Sequence, residues 1–240
     1  MSSIDAIIDR QLKKWEMEKG TRHESIDKGE PIKVLPLVTV SRERGSRGAY
    51  IAEKLAEKLG YQLLHKEVID KICNSSGYRR QIIESLDEET RSAIDLWAEA
   101  VFKGIYVDAS DYFRHLYKVI ISISELGGVV VVGRGANFML KEDQGFHIRV
   151  VASIPKRIRN LMQYEQYSYD QAEQELKAAD RSRAYFVKSN FKRDINDPGA
   201  YDFIANTTLL NPEDIIDMIE IGIKSKLHFI QHHRNKNDDE

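Results

Sequence analysis

Apolar positions along this chain alternate between two spacings, and the changes of spacing predict a succession of strands and helices. Leu37, Val38 and Val40 form a short apolar run. After a polar turn, Ile51, Ala52, Leu55, Ala56 and Leu59 recur at helical spacing, with Gly60 placed as the C-terminal cap. Tyr61 to Leu64 predicts a second strand, followed by a helix carrying Val68, Ile69 and Ile72. From Gln81 to Leu126 the pattern is helical throughout. Its stripes are Ile82, Ile83 and Leu86, then Ile94, Trp97, Val101 and Ile105, then Tyr112, Phe113, Leu116, Val119, Ile120 and Ile123. Aromatic residues at this spacing read as core. Val129 to Val132 is a continuous β-branched run, as expected of a strand buried on both faces. His147 to Ala152 predicts a further strand, and Ser153 with Pro155 starts a helix after it. Ser168 to Gln171 has the form of a capping box, Tyr201 to Asn206 reads as a last strand, and Asn211-Pro212-Glu213-Asp214 opens a final helix bearing Ile215, Ile216, Ile219, Ile223 and Leu227. Strands alternating with helices after residue 36 predict an α/β fold, a parallel sheet covered on both faces.

Ahead of that alternation, Ile4, Ile7, Ile8, Leu12 and Trp15 form a helical stripe over residues 4 to 18, and Gly20 to Lys33 reads as a polar linker. Residues 1–35 are therefore an extension. Its helix is open to packing on the body or on a second subunit, and a homodimer through it is one expectation. At the other end, residues 233–240 read as a tail, and His232-His233 at a chain end is too little for a metal site.

Composition acts here by exclusion. The 240 residues, 42% apolar and 31% charged, suit one large or two small globular domains. A net charge of −2 supplies no field for nucleic acid. Cys73 is the single cysteine, so no internal disulfide or cysteine cluster is available. No apolar run approaches the roughly 20 residues of a membrane span, and the charged N-terminus lacks a signal-peptide core. The expectation is a cytoplasmic protein without a membrane partner.

Chemistry concentrates in VTVSRERGSRGAYIAEKLAEKLG, residues 38–60. A strand feeding a helix through a glycine turn aims backbone N–H groups and the positive helix end at one spot, which suits phosphate. The G-x-x-x-x-G-K-[ST] pattern fails literally. Arg42 and Arg47 stand at its two glycines, Gly48 at its lysine and Ala49 at its hydroxyl residue. Arg42, Arg44 and Arg47 bring positive charge from other positions, and arginine can grip two phosphate oxygens at once. The plain alternative is an ordinary strand–turn–helix with solvated arginines. His65 and Lys66 follow the second strand, where open sheets face their ligand crevice; they also suit a solvent loop, which for His65 alone is the better reading. In Gly133-Arg134-Gly135-Ala136-Asn137, a glycine-flanked arginine at a strand end points to a phosphate or substrate contact rather than packing. The basic stretch holding Arg181, Arg183, Lys188, Lys192 and Arg193 reads equally as a closing lid or as a solvated helix.

The blocks VTVSRERGSRGAYIAEKLAEKLGYQLLHKEVID, VVVVGRGANFML, DRSRAYFVKSNF and YDFIANTTLLNPEDIIDMI, in that order and spacing, resemble the cytidylate-kinase-like family of P-loop nucleoside monophosphate kinase relatives over about residues 36 to 228. The resemblance implies a three-layer α/β/α kinase domain over residues 36–232 with about five strands, a helical acceptor region at about 67–127 and a lid at about 165–195. It implies ATP and Mg²⁺ as cofactors, and transfer of the γ-phosphoryl group to a nucleoside monophosphate such as CMP or dCMP. Arg42, Gly45, Ser46, Arg47 and Gly48 would bind the ATP phosphates. Arg42, Arg47, Arg181 and Arg183 would act on the transferring group, and His65, Lys66, Arg134 and Asn137 would bind the acceptor. No protein metal ligand is assigned, and Mg²⁺ would be held through phosphates and water. The chain also departs from the family pattern. Gly135 replaces the aspartate of G-R-D, Arg47 interrupts the glycine run, and His65 stands where an aspartate is frequent. These departures keep open a second class of function, a non-catalytic nucleotide-binding sensor or regulator on the same fold.

Overall fold

A computed structural model describes the backbone of residues 3–27, 36–104 and 110–237, and the side chains of 3–18, 36–103 and 110–230. The order of elements is α1 (Ser3–Asp27), β1 (Val38–Arg42), α2 (Gly48–Leu59), β2 (Gln62–Leu64), α3 (Lys66–Asn74), α4 (Ser76–Glu84), α5 (Glu88–Gly104), α6 (Asp111–Leu126), β3 (Val129–Val132), β4 (Phe146–Val151), α7 (Ile154–Glu165), α8 (Tyr169–Phe191), β5 (Phe203–Asn206) and α9 (Pro212–Asn237). The chain divides into two compact units, Met1–Leu37 with Leu64–Val129, and Val38–Leu63 with Val130–Glu240.

The second unit is built on a five-stranded sheet of order β2-β3-β1-β4-β5, with the β3–β1, β1–β4 and β4–β5 ladders parallel. Val130, Val131, Ile148 and Val150 are fully buried, which is what the unbroken apolar runs predicted. From α2, Ile51 and Leu55 pack with Ile215 and Ile219 of α9 into the core of the sheet. The fold is of the three-layer α/β/α class. The chain leaves β1 towards β2 and β3 on one side and comes back to β4 and β5 on the other. The carboxyl end of β1 is thus the switch point at which open α/β sheets place their ligands. The expected lid is α8, a 23-residue helix that packs along α7 around Ile158, Leu161, Ala172 and Leu176. The capping box at Ser168 and Gln171 is present, and Gly60 caps α2 at φ +67°.

In the first unit, Ile8, Leu12 and Trp15 of α1 are buried. Trp15 Nε1 donates to the Gly127 carbonyl at 3.0 Å, and the Tyr78 hydroxyl donates to Asp5 at 3.0 Å. Much of the apolar stripe of α1 is therefore covered by its own chain, with Ile4 and Ile7 half-buried. The rings of Trp97, Phe102, Phe113 and Tyr117 pack on one another, as core aromatics do. Helix α1 also runs through Gly20 to Asp27, so the first part of the expected linker is helical. A lone glycine costs a helix only about 1 kcal/mol and does not stop it. Residues 28–33 of that linker, Ile105, and the side chains of His232 and His233 lie outside the described residues.

One buried group in the sheet unit sets a pH dependence. His147, on β4, is 6% exposed, shares a 2.9 Å hydrogen bond with Thr39 Oγ1, and has its pKa pushed down from 6.5 to about 4, first by burial and then by Lys226, with Asp202 opposing. The folded state disfavours the proton that the unfolded state accepts, so stability falls as pH drops from about 6.5 to about 4, by roughly 3 kcal/mol if His147 acts alone. Denaturant titrations across that window should show the slope in the wild type and a flatter one in His147→Gln.

Candidate functional site

The turn after β1 is held from behind, carbonyl by carbonyl. Arg183 Nη1 donates to the Arg42 carbonyl at 2.8 Å, and Ser46 Oγ to that of Glu43 at 2.9 Å. Arg157 Nε donates to the Arg44 carbonyl at 2.7 Å, Asn160 Nδ2 to Gly45 at 2.8 Å, and Thr207 Oγ1 to Ser46 at 2.8 Å. With the oxygens of Arg42 through Ser46 engaged this way, and the Glu43 and Ser46 amides turned to the Val150 and Glu43 carbonyls at 2.9 and 3.4 Å, the first-turn N–H groups of α2 are left for an anion. They border a cleft of about 270 Å³ that also carries the side chains of Arg42, Arg47, Tyr50, Tyr164 and Arg183.

The glycines have specific steric reasons. Gly45 adopts φ +76°, and a Cβ there would lie 2.6 Å from the Arg157 carbonyl oxygen. At Gly48 a Cβ would meet Arg42 Cβ at 2.5 Å, and at Gly133 it would meet Arg42 Nη1 at 2.6 Å. Both glycines therefore make room for Arg42, whose side chain runs from the turn after β1 to the loop after β3. In that second loop Gly133, Arg134 and Gly135 are all left-handed, at φ +86°, +56° and +64°, and turn into a 3₁₀ segment, Ala136–Phe138. A Cβ at Gly135 would collide with the ring of Phe191, which explains the missing family aspartate in local terms.

Besides Arg42, four arginines near the loop divide by what they face. Arg44 is committed to Glu165 and Glu175, so its charge is already met and the sequence expectation that it serves the anion is corrected. Arg157 is 3% exposed and pairs with Asp180 at 2.7 Å. Arg47 adopts φ +64°, and its guanidinium lies between the rings of Tyr50 and Tyr164, 4.1 Å from each centroid. Such contacts contribute about 0.5–2 kcal/mol and offset the roughly 1–2 kcal/mol cost of the left-handed backbone. The Arg183 pKa is lowered by burial; Asp180 opposes this, and repulsion from Arg44, Arg157 and Arg149 adds to it. Positive charge crowding a cleft in this way favours an anionic guest.

Arg42, Gly45, Arg47, Gly48 and Arg183 are thus brought to one cleft, with Ser46 buried beneath them. Arg134 and Asn137 line a smaller adjoining cavity of about 50 Å³ that shares Arg42 and Arg183. Asn137 Nδ2 is engaged by the Ala200 carbonyl at 3.3 Å. Arg181 is exposed on α8, roughly 200° around the helix from Arg183. His65 and Lys66 are exposed at the start of α3, in the other unit. Sequence reading missed Arg149, 5% exposed, which donates to Ser41 at 2.8 Å and to Asn196 at 2.9 Å. A charge inside the otherwise apolar strand FHIRVV was the signal. Arg157, Asn160, Tyr164 and Thr207 gave none, because each acts on a loop more than a hundred residues away.

The geometry fits a nucleotide's phosphates better than a protein-held metal. Among the described residues no group of three or more His, Cys, Asp or Glu side chains could hold an ion. The carboxylates nearest the loop are engaged: Glu43 by the Ala152 amide at 3.0 Å, Glu165 and Glu175 by Arg44, and Asp180 by Arg157.

Sheet order, switch-point loop and arginine-lined cleft together define a P-loop kinase-type domain. The chain belongs to the cytidylate kinase-like family, whose family model matches residues 37–209. It is 24% identical over 190 residues to a cytidylate kinase of Natronomonas pharaonis, across 79% of this chain and 90% of that one. A solved structure of an uncharacterized protein from Eubacterium ventriosum has the same fold, with a TM-score of 0.62 at 22% identity over 79% of this chain and 98% of the other. No helix among the described residues is long and apolar enough to cross a membrane.

Proposed function

We propose that the protein transfers the γ-phosphoryl group of ATP to a nucleoside monophosphate, with CMP and dCMP as the leading acceptors. The observation that carries this is the turn whose five carbonyls are held from behind while Arg42, Arg47 and Arg183 face its open side. In the reaction the bond between the γ-phosphorus and the ADP oxygen breaks, and a bond to an oxygen of the acceptor phosphate forms. Catalysis of this kind is positioning and charge neutralisation. The amides at Gly45 and Gly48 would seat the ATP phosphates, with Ser46, whose own amide turns to the Glu43 carbonyl, buried behind them. Arg47, held by the two tyrosines, would supply the charge that a loop lysine supplies elsewhere. Arg183 would reach the transferring group, and Arg134 would bind the acceptor phosphate across the bridge that Arg42 makes. Asn137 belongs to the wall of the acceptor side. His65 and Lys66 would bind the acceptor, and Arg181 would join only if it comes to that site when substrate is bound. Membership of a family with a cytidylate kinase relative supports this reading.

Isothermal titration tests the assignment. Arg42→Ala is expected to weaken ATP binding by roughly 10- to 100-fold, the worth of a charged hydrogen bond or two, with a smaller effect on CMP. Arg134→Ala should do the reverse. Two variants equal to wild type with both ligands would remove the assignment.

A further inference from the structure

Across the β1–β4 ladder Ser41 stands in register with Arg149, as Thr39 does with His147. Alternate residues of a strand share a face, and Val40, Ile148 and Val150 belong to the core shared with α2 and α9. Ser41 and Arg149 therefore point to the opposite face, where Asn137, Ile195, Asn196 and Tyr201 lie.

Arg149 is 5% exposed, and its partners among the described residues are neutral. It donates to Ser41 Oγ at 2.8 Å and to Asn196 Oδ1 at 2.9 Å, and its guanidinium lies 5.9 Å from the centre of the Tyr201 ring. Arg44 and Arg157, by contrast, meet carboxylates. A buried charge met by no opposite charge is costly, so its place calls for a reason beyond packing.

That reason is its effect on Ser41. A guanidinium has no acceptor, so the bond between the two uses a lone pair of the serine oxygen and leaves the O–H to be given elsewhere. The Tyr201 hydroxyl is 3.5 Å away, at the outer limit of hydrogen bonding, and its own proton goes to the Ile195 carbonyl at 2.7 Å. Ser41 is only half-buried, and it lines the cavity of about 50 Å³ together with Arg42, Arg134 and Arg183. Those three guanidinium groups make the cavity a place for an anion. A hydroxyl already bonded to a cation is also a stronger donor than an ordinary one.

We propose that Ser41 is a substrate-binding residue, which donates its O–H to an oxygen of a phosphate monoester in this cavity, and that Arg149 is the positioning residue that aims it. In the proposed reaction that oxygen belongs to the acceptor phosphate, and to this extent the inference rests on the phosphoryl-transfer reading. The chemistry of the site itself is narrower: Arg134 and Ser41 grip one phosphate from the carboxyl ends of β3 and β1, and Arg149 supplies charge from behind.

The test uses the full chain with CMP and with ribose 5-phosphate, a phosphate monoester that carries no base, read by titration calorimetry. Ser41→Ala is expected to weaken both ligands by roughly tenfold, the worth of a hydrogen bond to a charged group, and to leave ATP binding as it is. Arg149→Met keeps most of the side chain's bulk without its charge and should weaken the same two ligands severalfold. Added to Ser41→Ala, Arg149→Met should cost little further affinity, because its effect passes through the hydroxyl. A loss of equal size in both backgrounds would remove the positioning role from Arg149. Ser41→Ala, which deletes one oxygen atom, keeps the test open if Arg149→Met is unstable. Both ligands bound as tightly by Ser41→Ala as by the wild type would overturn the proposal and leave Arg134 its acceptor assignment. Ribose 5-phosphate bound in a Ser41-dependent way, with CMP not bound, would uphold the site and remove CMP as the acceptor. A wild type that binds neither up to about 10 mM would overturn both.

Discussion

Replacing Arg183 with alanine is expected to slow phosphoryl transfer by roughly 10³-fold while the protein stays folded, because an arginine at a transferring phosphoryl group is worth about that much or more. Arg183 is positioned by its 2.8 Å bond to the Arg42 carbonyl and crowded by Arg44, Arg157 and Arg149. A crowded cation of this kind gains most when a phosphate enters, so its effect should fall on kcat more than on KM. Arg183→Lys keeps the charge but loses the two-point grip, and should recover only a small part of the rate. Steady-state kinetics of the two variants beside thermal melts separates the catalytic loss from any structural one. An Arg183→Ala variant that is folded and fully active would remove Arg183 from the site.

The second large effect concerns Gly48, which stands where related loops carry lysine. Gly48→Lys is expected to harm the protein, not to restore a missing function. The new Cβ would lie 2.5 Å from Arg42 Cβ and 3.1 Å from Val150 Cβ, in a buried position at the start of α2. Overpacking of this kind costs about 1–3 kcal/mol, or several degrees in Tm for a chain of this size, and it pushes Arg42 out of the space between the two loops. Loss of transfer together with a lowered melting temperature is the predicted result. A rise in activity would show that this loop works as an ordinary lysine loop and that Arg47 does not take the lysine's place.

The strands and the loop were legible because their signals are local. Val129–Val132 is β3 from end to end, and β2, β4 and β5 differ from expectation by one or two residues at their ends. The glycine turn, the capping box at Ser168 and the proline start of α9 were readable for the same reason: each is set by residues within a few positions of one another. Helix α1 was drawn short, because glycine and a polar stretch imitate a linker when tertiary contacts are unseen. Arg44 was the clearest misreading. In sequence it is one of three arginines around a turn, and only the fold brings Glu165 and Glu175 to it. The same limit hid Arg157, Asn160 and Thr207, which give the phosphate loop its shape from distant elements. Tyr164, which helps to hold Arg47, looked like one more residue on a helix.

The central claim is that this altered loop still supports phosphoryl transfer. The most direct measurement is a product assay with ATP, Mg²⁺ and a panel of ribo- and deoxynucleoside monophosphates, separated by chromatography and scored for diphosphates. The account predicts diphosphate from CMP or dCMP with the wild type, and its loss in Arg134→Ala and Arg183→Ala. ATP binding without product from any acceptor would contradict it, and would favour a protein that senses nucleotide on a kinase fold.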